Sequence, residues 1–450
     1  MLRGCIEVVC NDMVSGVVSR MLSIMKSELQ PPRLLNNIAA LGLVQISNYI
    51  IPLIALPYLT RVLGAEAFGK VVFAQVVMSY FVLLVDYGFS WSATRQVSAQ
   101  RADRDTLSRI FAATWAAQWL LVILSALIVA AAVFLIERLR SDAPLYAAAF
   151  STVIGTALFP IWFLQGLERL QVVAALQLLT RVLALLPIFF FILQPSDAVW
   201  VLLIQGSGTV LGGILALFWM RRESLISWRV PSWRDTLGAL REGGALFGSR
   251  VAISLYTTLV PLVLGWVAGP VALAHFSLAD KLRSAAQSLL APLSQALFPR
   301  MSHLVHYNGQ AAYTLIKRSG FGVLIVAGTA SAALWVLAGW LVLLLGGSEF
   351  SPAADVLRWL APLPLVIGLS NILGVQIMLP HGLKRPFNAV LLSAAVVSLA
   401  LIGPMASYFQ AVGAAQTMLA VEAWVTAAMA TFLWQRGYFS SSRWTKTIFP

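Results

Sequence analysis

Phe111 to Ile136 reads FAATWAAQWLLVILSALIVAAAVFLI, 26 residues without one charged side chain. Arg109 stands before the run, and Glu137, Arg138 and Arg140 close it. An α-helix rises 1.5 Å per residue, so about 20 apolar residues cross the ~30 Å hydrocarbon core of a bilayer. The run is long enough to cross with some tilt. A helix that is apolar on every side belongs inside a large core or in lipid, and the composition decides between the two.

Runs of this kind recur along the whole chain. They fall at 38–60, 69–88, 111–136, 145–164, 170–193, 197–220, 244–268, 271–298, 319–346, 353–380, 387–403 and 408–435. Of the 450 residues, 59% are hydrophobic and 11% charged. A soluble chain carries roughly 25% charged residues, and this one has too little polar surface to cover a water-facing fold. The expectation is an all-α integral membrane protein with about twelve transmembrane helices.

The gaps between runs carry the orientation. If alternate gaps share a side, one set holds Arg61, Lys70, Arg138 and Arg140, while the other set with both tails holds 22 Lys and Arg. The positive-inside rule then places both termini in the cytoplasm. The basic gap 221–243, with Trp228, Pro231 and Trp233, divides the spans six and six and reads as an amphipathic cytoplasmic linker at the membrane surface. The expected organisation is a cytoplasmic tail over 1–36, an N-lobe over 37–220, the linker, a C-lobe over 244–435 and a cytoplasmic tail over 436–450. Two such lobes suggest a pseudo-two-fold transporter. Met25-Lys26-Ser27-Glu28 reads as a translation start, which would make residues 1–24 extra to the native chain.

A net charge of +13 would suggest nucleic acid in a soluble protein, but here the cations sit in short loops and form no basic domain. Cys5 and Cys10 have no further Cys or His near them, and His303 and His306 lack a third ligand, so no metal site is expected. Gly64 to Lys70 nearly matches the phosphate loop GxxxxGK[ST]. Val71 replaces the required hydroxyl, and no strand precedes the loop, so ATP chemistry is not expected. Proline interrupts the spans at Pro52, Pro57, Pro160, Pro187, Pro261, Pro292, Pro362 and Pro364, as membrane helices tolerate.

Ionisable groups inside the spans carry the chemistry. They are Asp86, Arg181, Arg250, Asp280, Lys281, Arg283, Arg358 and Glu422. A charge at the bilayer centre costs about 2.5–3.5 kcal/mol on insertion scales, and marks function by default. Asp86 lies near a span end, and Arg181 and Arg358 can snorkel. Asp280, Lys281 and Arg283 lie near the middle of span eight. Ser277, Lys281, Ser284, Ser288 and Gln295 line one helical face, opposite Leu278, Leu282, Leu289 and Leu293. Span two repeats the polar pattern with Gln75, Ser79 and Asp86, and span one with Gln45 and Asn48. Asp280 and Arg283 are spaced to pair. Lys281 has no partner on its own helix. It either faces a cavity that takes an anion or pairs with Asp86 or Glu422 of another helix. The expected binding set is Lys281, Arg250, Arg283, Asp280, Ser277, Ser284, Gln45 and Asn48. The expected gating set is Asp86, Arg95 and Arg61, with Asp86 on Arg95 or the 92–95 turn as a cytoplasmic latch.

Five segments resemble one family in order. They are Leu56-Pro57-Tyr58-Leu59-Thr60-Arg61-Val62-Leu63-Gly64; Asp86-Tyr87-Gly88-Phe89 with Ser92-Ala93-Thr94-Arg95; Phe163-Leu164-Gln165-Gly166-Leu167-Glu168-Arg169; Phe276-Ser277-Leu278-Ala279-Asp280-Lys281 with Pro292 to Arg300; and Ser348-Glu349-Phe350 with Val356-Leu357-Arg358. Over roughly 37–436 the chain resembles the polysaccharide-unit (O-antigen type) flippases, relatives of the multidrug and toxin exporters and the peptidoglycan-precursor flippase. The resemblance implies movement of an undecaprenyl-diphosphate-linked oligosaccharide across the bacterial inner membrane by alternating access. It also implies coupling to H⁺ or Na⁺, no bound cofactor, and a polysaccharide polymerase with its chain-length machinery as partners. The alternative is an ion-coupled small-molecule exporter of the same superfamily, for which a cationic midplane is the wrong sign. A membrane glycosyltransferase or polymerase would need a large outer loop, and every outer gap here is short.

Overall fold

The structure, a computed structural model, describes residues 34–439 except 289. It describes side chains from 52 onward, save at 246, 249–257, 289, 291–293, 295, 296 and 299. The elements used below are α1 (Leu34–Asp86), α2 (Phe89–Ala99), α3 (Arg104–Leu135), α4 (Ala143–Leu158), α5 (Ile161–Gly166), α6 (Leu170–Phe191), α7 (Ala198–Arg222), α8 (Trp233–Val267), α9 (Gly269–Ser288), α10 (Ala291–Tyr307), α11 (Gly309–Gly346), α12 (Ala353–Leu360), α13 (Leu363–Asn371) and α14 (Lys384–Gln435). The described residues hold no strand, and each expected span falls on helix.

Among the described residues, eight helical stretches are long and apolar enough to cross a membrane. The difference from twelve comes partly from helices that run on through a kink. α1 breaks at Gly64 (φ 70, ψ 176) and α14 at Gln410 (φ 49, ψ −128), so each holds two crossings. Straight, the 52 residues of α14 would run about 78 Å, more than twice the hydrocarbon thickness. In α8 only Thr258–Val267 of the apolar run lies among the residues with described side chains, and α9 carries Asp280, Lys281 and Arg283 where a lipid-facing helix would be apolar. Large apolar side chains stand exposed along α3 (Leu127, Phe134, Leu135) and α11 (Trp335, Val336, Trp340), as a lipid-facing surface requires. Pro160 and Pro362 stand where helices end and restart.

The chain divides into two compact units, Met1–Ala55 with Val77–Arg250, and Leu56–Val76 with Val251–Pro450. In the first, α4 and α7 cross with little between their backbones. A Cβ at Gly206 would lie 1.7 Å from Ser151 Oγ, and one at Gly213 2.5 Å from Leu158 Cβ. Small residues at such crossings let membrane helices approach. Asp103 caps α3 by accepting from the backbone N–H groups of Asp105 (3.0 Å) and Thr106 (3.2 Å). The Thr106 hydroxyl, which also donates to it, holds this carboxyl below the usual carboxylate range. The linker seats on the same helix. Ser227 donates its N–H to Ser108 Oγ at 2.8 Å, Arg229 meets Asp105 at 2.6 Å, and the Trp228 ring lies 5.9 Å from Phe111 and 5.7 Å from Trp115.

In the second unit, Met301, Ile316, Ile377, Met378, Val425, Met429 and Leu433 share one buried apolar core. Span ten changes geometry inside it. After α13 the chain takes seven residues of π-helix, Ile372–Met378. Gln376 there is buried and donates from Nε2 to the Ser294 carbonyl at 2.9 Å. Gly374 admits the Phe387 ring, since a Cβ would lie 2.8 Å from it.

Candidate functional site

Span eight holds the charges as its spacing predicts, but gives them different tasks. Arg283 Nε donates to Asp280 Oδ1 at 2.7 Å, and Nη2 donates to Ser284 Oγ at 2.8 Å. Nη1 donates to Gln287. The buried guanidinium is thus tied to its own helix on three sides. Lys281 is different. Its ammonium stands over the Phe68 ring, 5.1 Å from the centroid, and among the described residues no carboxylate pairs with it. A ring face attracts a cation without neutralising it. Ser277 is buried one turn before Lys281.

Phe68 is the start of a ladder of rings. It meets Phe350 edge-on at 5.9 Å, and His275 meets the other side of that contact at 5.7 Å from Phe350. Around it, the turn at Gly64 is fastened to the end of α11 and the residues after it. Thr60 Oγ1 donates to the Leu345 carbonyl at 2.7 Å, and Arg61 Nη2 to the Leu344 carbonyl at 2.6 Å. The Ala65 N–H donates to Glu349 Oε1 at 2.8 Å. Gly64 is needed twice over: its φ of +70 is left-handed, and a Cβ there would lie 3.2 Å from Glu349 Oε2. The phosphate-loop look of Gly64 to Lys70 has a packing cause as well. A Cβ at Gly69 would lie 1.9 Å from the Pro270 carbonyl oxygen, and Lys70 pairs with Glu66 at 3.4 Å.

The first unit holds a second cluster, on the side that the charge count assigns to the cytoplasm. α1 ends at Asp86, and Tyr87 (φ 42) and Gly88 (φ 81) turn the chain into α2. Asp86 and Arg95, expected to form a latch directly or through the 92–95 turn, each make a further contact. Asp86 accepts from the Ser90 hydroxyl, which its own turn brings close. Arg95 reaches Glu242 at 3.7 Å, and Gln96 hydrogen-bonds the same carboxylate. Tyr87 stacks on Phe247 at 4.7 Å. Thr94 Oγ1 donates to the Trp162 carbonyl at 3.0 Å, and Arg101 binds both the Gly166 carbonyl (2.9 Å) and Glu168 (2.8 Å).

The five sequence motifs therefore gather as two groups. The segments around 86–95 and 163–169 meet in the first unit. Those around 56–64, 276–281 and 348–350 meet in the second. Phe68, His275 and Glu242 were not singled out by the sequence, and Glu349 stood there only as part of a family motif. The available signal was a carboxylate and a histidine at the ends of apolar runs, which spacing alone does not distinguish from ordinary boundary residues. The side chains of Gln45, Asn48 and Arg250 lie outside the described residues. His303 stacks on Tyr307 at 4.6 Å, and His306 Nδ1 lies 2.8 Å from the Ser302 carbonyl.

A family model described as "Polysaccharide biosynthesis protein" matches residues 34–305. A relative from Escherichia coli strain K12 is 34% identical over 88% of this chain and 96% of its own length. The chain belongs to the polysaccharide biosynthesis protein family. The E. coli relative is named "Putative O-antigen transporter". So is one from Shigella dysenteriae, 30% identical over 86% of this chain and 96% of its own length. Both relatives are thus named as transporters, not as catalysts. Among solved structures, the lipid II flippase MurJ in an inward closed conformation shares the fold at a TM-score of 0.69 and 10% identity, over 92% of this chain and 90% of that one. An inward-facing multidrug resistance MATE family transporter does so at 0.66 and 13%, over 90% and 99%. The chain is thus an all-α, multi-pass membrane protein of this fold.

Proposed function

We propose that the protein is a flippase carrying an undecaprenyl-diphosphate-linked oligosaccharide unit across the bacterial inner membrane by alternating access, for surface polysaccharide assembly. Lys281 carries this reading. It is a cation deep in a membrane helix, seated on an aromatic face, with its neighbour Arg283 already tied to Asp280. Such a cation suits a diphosphate and repels the cationic compounds that drug-type exporters take. Arg250 is assigned to meet the headgroup first, six residues into span seven. Ser277, Ser284, Gln45 and Asn48 are assigned to the sugars, with Arg283 and Asp280 in support. Arg61, Asp86 and Arg95 are assigned to the gates.

In this reading both termini are cytoplasmic, the lobes are 37–220 and 244–435, and the linker 221–243 lies on the cytoplasmic surface. A polymerase with chain-length machinery takes the product on the outer side. The names of the two bacterial relatives support the same substrate class. The experiment is deletion of the gene. Surface polysaccharide should disappear, lipid-linked units should accumulate on the cytoplasmic side, and a plasmid copy should restore both. Unchanged polysaccharide together with a changed drug sensitivity would overturn the assignment in favour of an exporter.

A further inference from the structure

We propose that Phe68 is the positioning residue for Lys281: its ring face fixes where the ammonium stands and leaves that charge whole for an oxyanion. The inference rests on the transporter reading, which makes Lys281 the cation that meets the substrate. Lysine carries a compact charge on a flexible stem and turns readily to any acceptor in reach. Side chains on a helix lean toward its N-terminus, so Lys281 lies back toward the turn that holds the buried Ser277. There it meets Phe68, with Nζ 5.1 Å from the ring centroid. The carboxylates on the same elements are engaged elsewhere. Asp280 holds Arg283 at 2.7 Å, Glu66 pairs with Lys70 at 3.4 Å, and Asp355 pairs with Arg358 at 2.8 Å. Glu349 accepts from the Ala65 N–H at 2.8 Å. A carboxylate under Lys281 would cancel its charge, whereas a ring face attracts the ammonium and cancels nothing.

The ring is held on every side that the structure describes. Phe68 is 2% exposed, and the fully buried Phe350 meets it edge-on at 5.9 Å. One residue later, Gly69 brings the α1 backbone against the start of α9, where a Cβ would lie 1.9 Å from the Pro270 carbonyl oxygen. Four residues earlier, the turn at Gly64 is tied down by Glu349 and by Thr60, whose hydroxyl donates to the Leu345 carbonyl at 2.7 Å. All of these residues lie in the second unit, which takes Leu56–Val76 while the rest of α1 lies in the first. That stretch of α1 presents Phe68 to the cation of α9. Span eight thus fixes its two cations differently. Arg283 spends its donors on Asp280, Ser284 and Gln287. An ammonium seated on a ring keeps N–H donors for phosphate or carboxylate oxygens. Without the ring, an incoming oxyanion would first have to order a free lysine chain, at a cost in affinity.

The test weakens the ring face while keeping the ring's shape. In the full chain, Phe68 is replaced by phenylalanines bearing one, two and three fluorines, each with Lys281 present and in the Lys281→Met background, in nanodiscs of neutral lipid. Fluorine withdraws electron density from the ring face, so each step should loosen a cation above it. The melting temperature should fall stepwise with fluorination when Lys281 is present and stay level in the Lys281→Met background. Binding of undecaprenyl diphosphate should weaken by about fivefold or more from the natural ring to the trifluorinated one. Phe68→Leu, which removes the face outright, should bind no better than the trifluorinated form. Melting series that run parallel in the two backgrounds would overturn the proposal, because the ring would then be packing alone. So would binding that stays constant across the series while the unaltered protein binds well, a result that leaves the transporter reading intact. An unaltered protein that binds no undecaprenyl diphosphate would overturn both.

Discussion

Asp280 and Arg283 lie 2.7 Å apart on one face of α9, and the guanidinium also holds Ser284 and Gln287. The pair is a fixed unit, and a change at either end strands the other charge. Arg283→Ala should cost about 2 kcal/mol, less than the 3–5 of a fully buried pair because the Asp280 side chain is 32% exposed. The double change Asp280→Ala/Arg283→Ala should recover much of that loss. Thermal unfolding of the purified protein decides it: losses that simply add would show that the two side chains are not coupled.

Lys281 should behave differently, because among the described residues no carboxylate pairs with its charge. Lys281→Ala should leave the amount of protein in the membrane unchanged and lower surface polysaccharide by about tenfold or more, the loss of one ~1.4 kcal/mol interaction. Lys281→Arg should keep part of the activity, and Arg250→Ala should also lose activity. Full polysaccharide in both alanine variants, at normal membrane levels, would end the cationic mechanism while leaving the flippase assignment in place.

Gly69 is a packing glycine. Gly69→Ala would drive a methyl to within 1.9 Å of the Pro270 carbonyl oxygen, and should cost about 1–3 kcal/mol or more. Gly238→Ala has nothing within 4 Å and should be neutral or slightly stabilising. Melting temperatures of the two variants, measured side by side, check the contrast. Equal values would mean that α1 and the start of α9 do not pack as described.

Orientation is checked with fused reporters. A reporter joined after Arg241 should report cytoplasm, and one after Asp142 the outer side, as the 22 to 4 division of Lys and Arg requires. The opposite pattern would reverse the assignment of every gap.

Hydropathy and helical spacing made most of the helices legible, together with the Asp280–Arg283 pair. Both signals are local: they report length, polarity and the neighbours three or four residues away. The partners that matter at the ends of the helices are distant in sequence. Glu349 and Ala65 stand 284 residues apart, and no period links them. Arg95 illustrates the same limit. The carboxylate preceding it in the chain was Asp86, but the turn at Tyr87 and Gly88 brings Ser90 to Asp86, and Arg95 goes to Glu242. The grouping of Leu56–Val76 with the second unit was equally hidden. Hydropathy records that a helix is apolar, not which helices it packs against.

The π-helical stretch Ile372–Met378 gives span ten one spare residue in its winding. Tightening it to 3.6 residues per turn would shift the register of everything on one side by a single position, a rotation of about 100°. Gln376 would swing off the Ser294 carbonyl, and a different stripe of the helix would face Met429 and Phe387. Such a tightening would therefore change which side chains the helix presents, as the turn of a screw does.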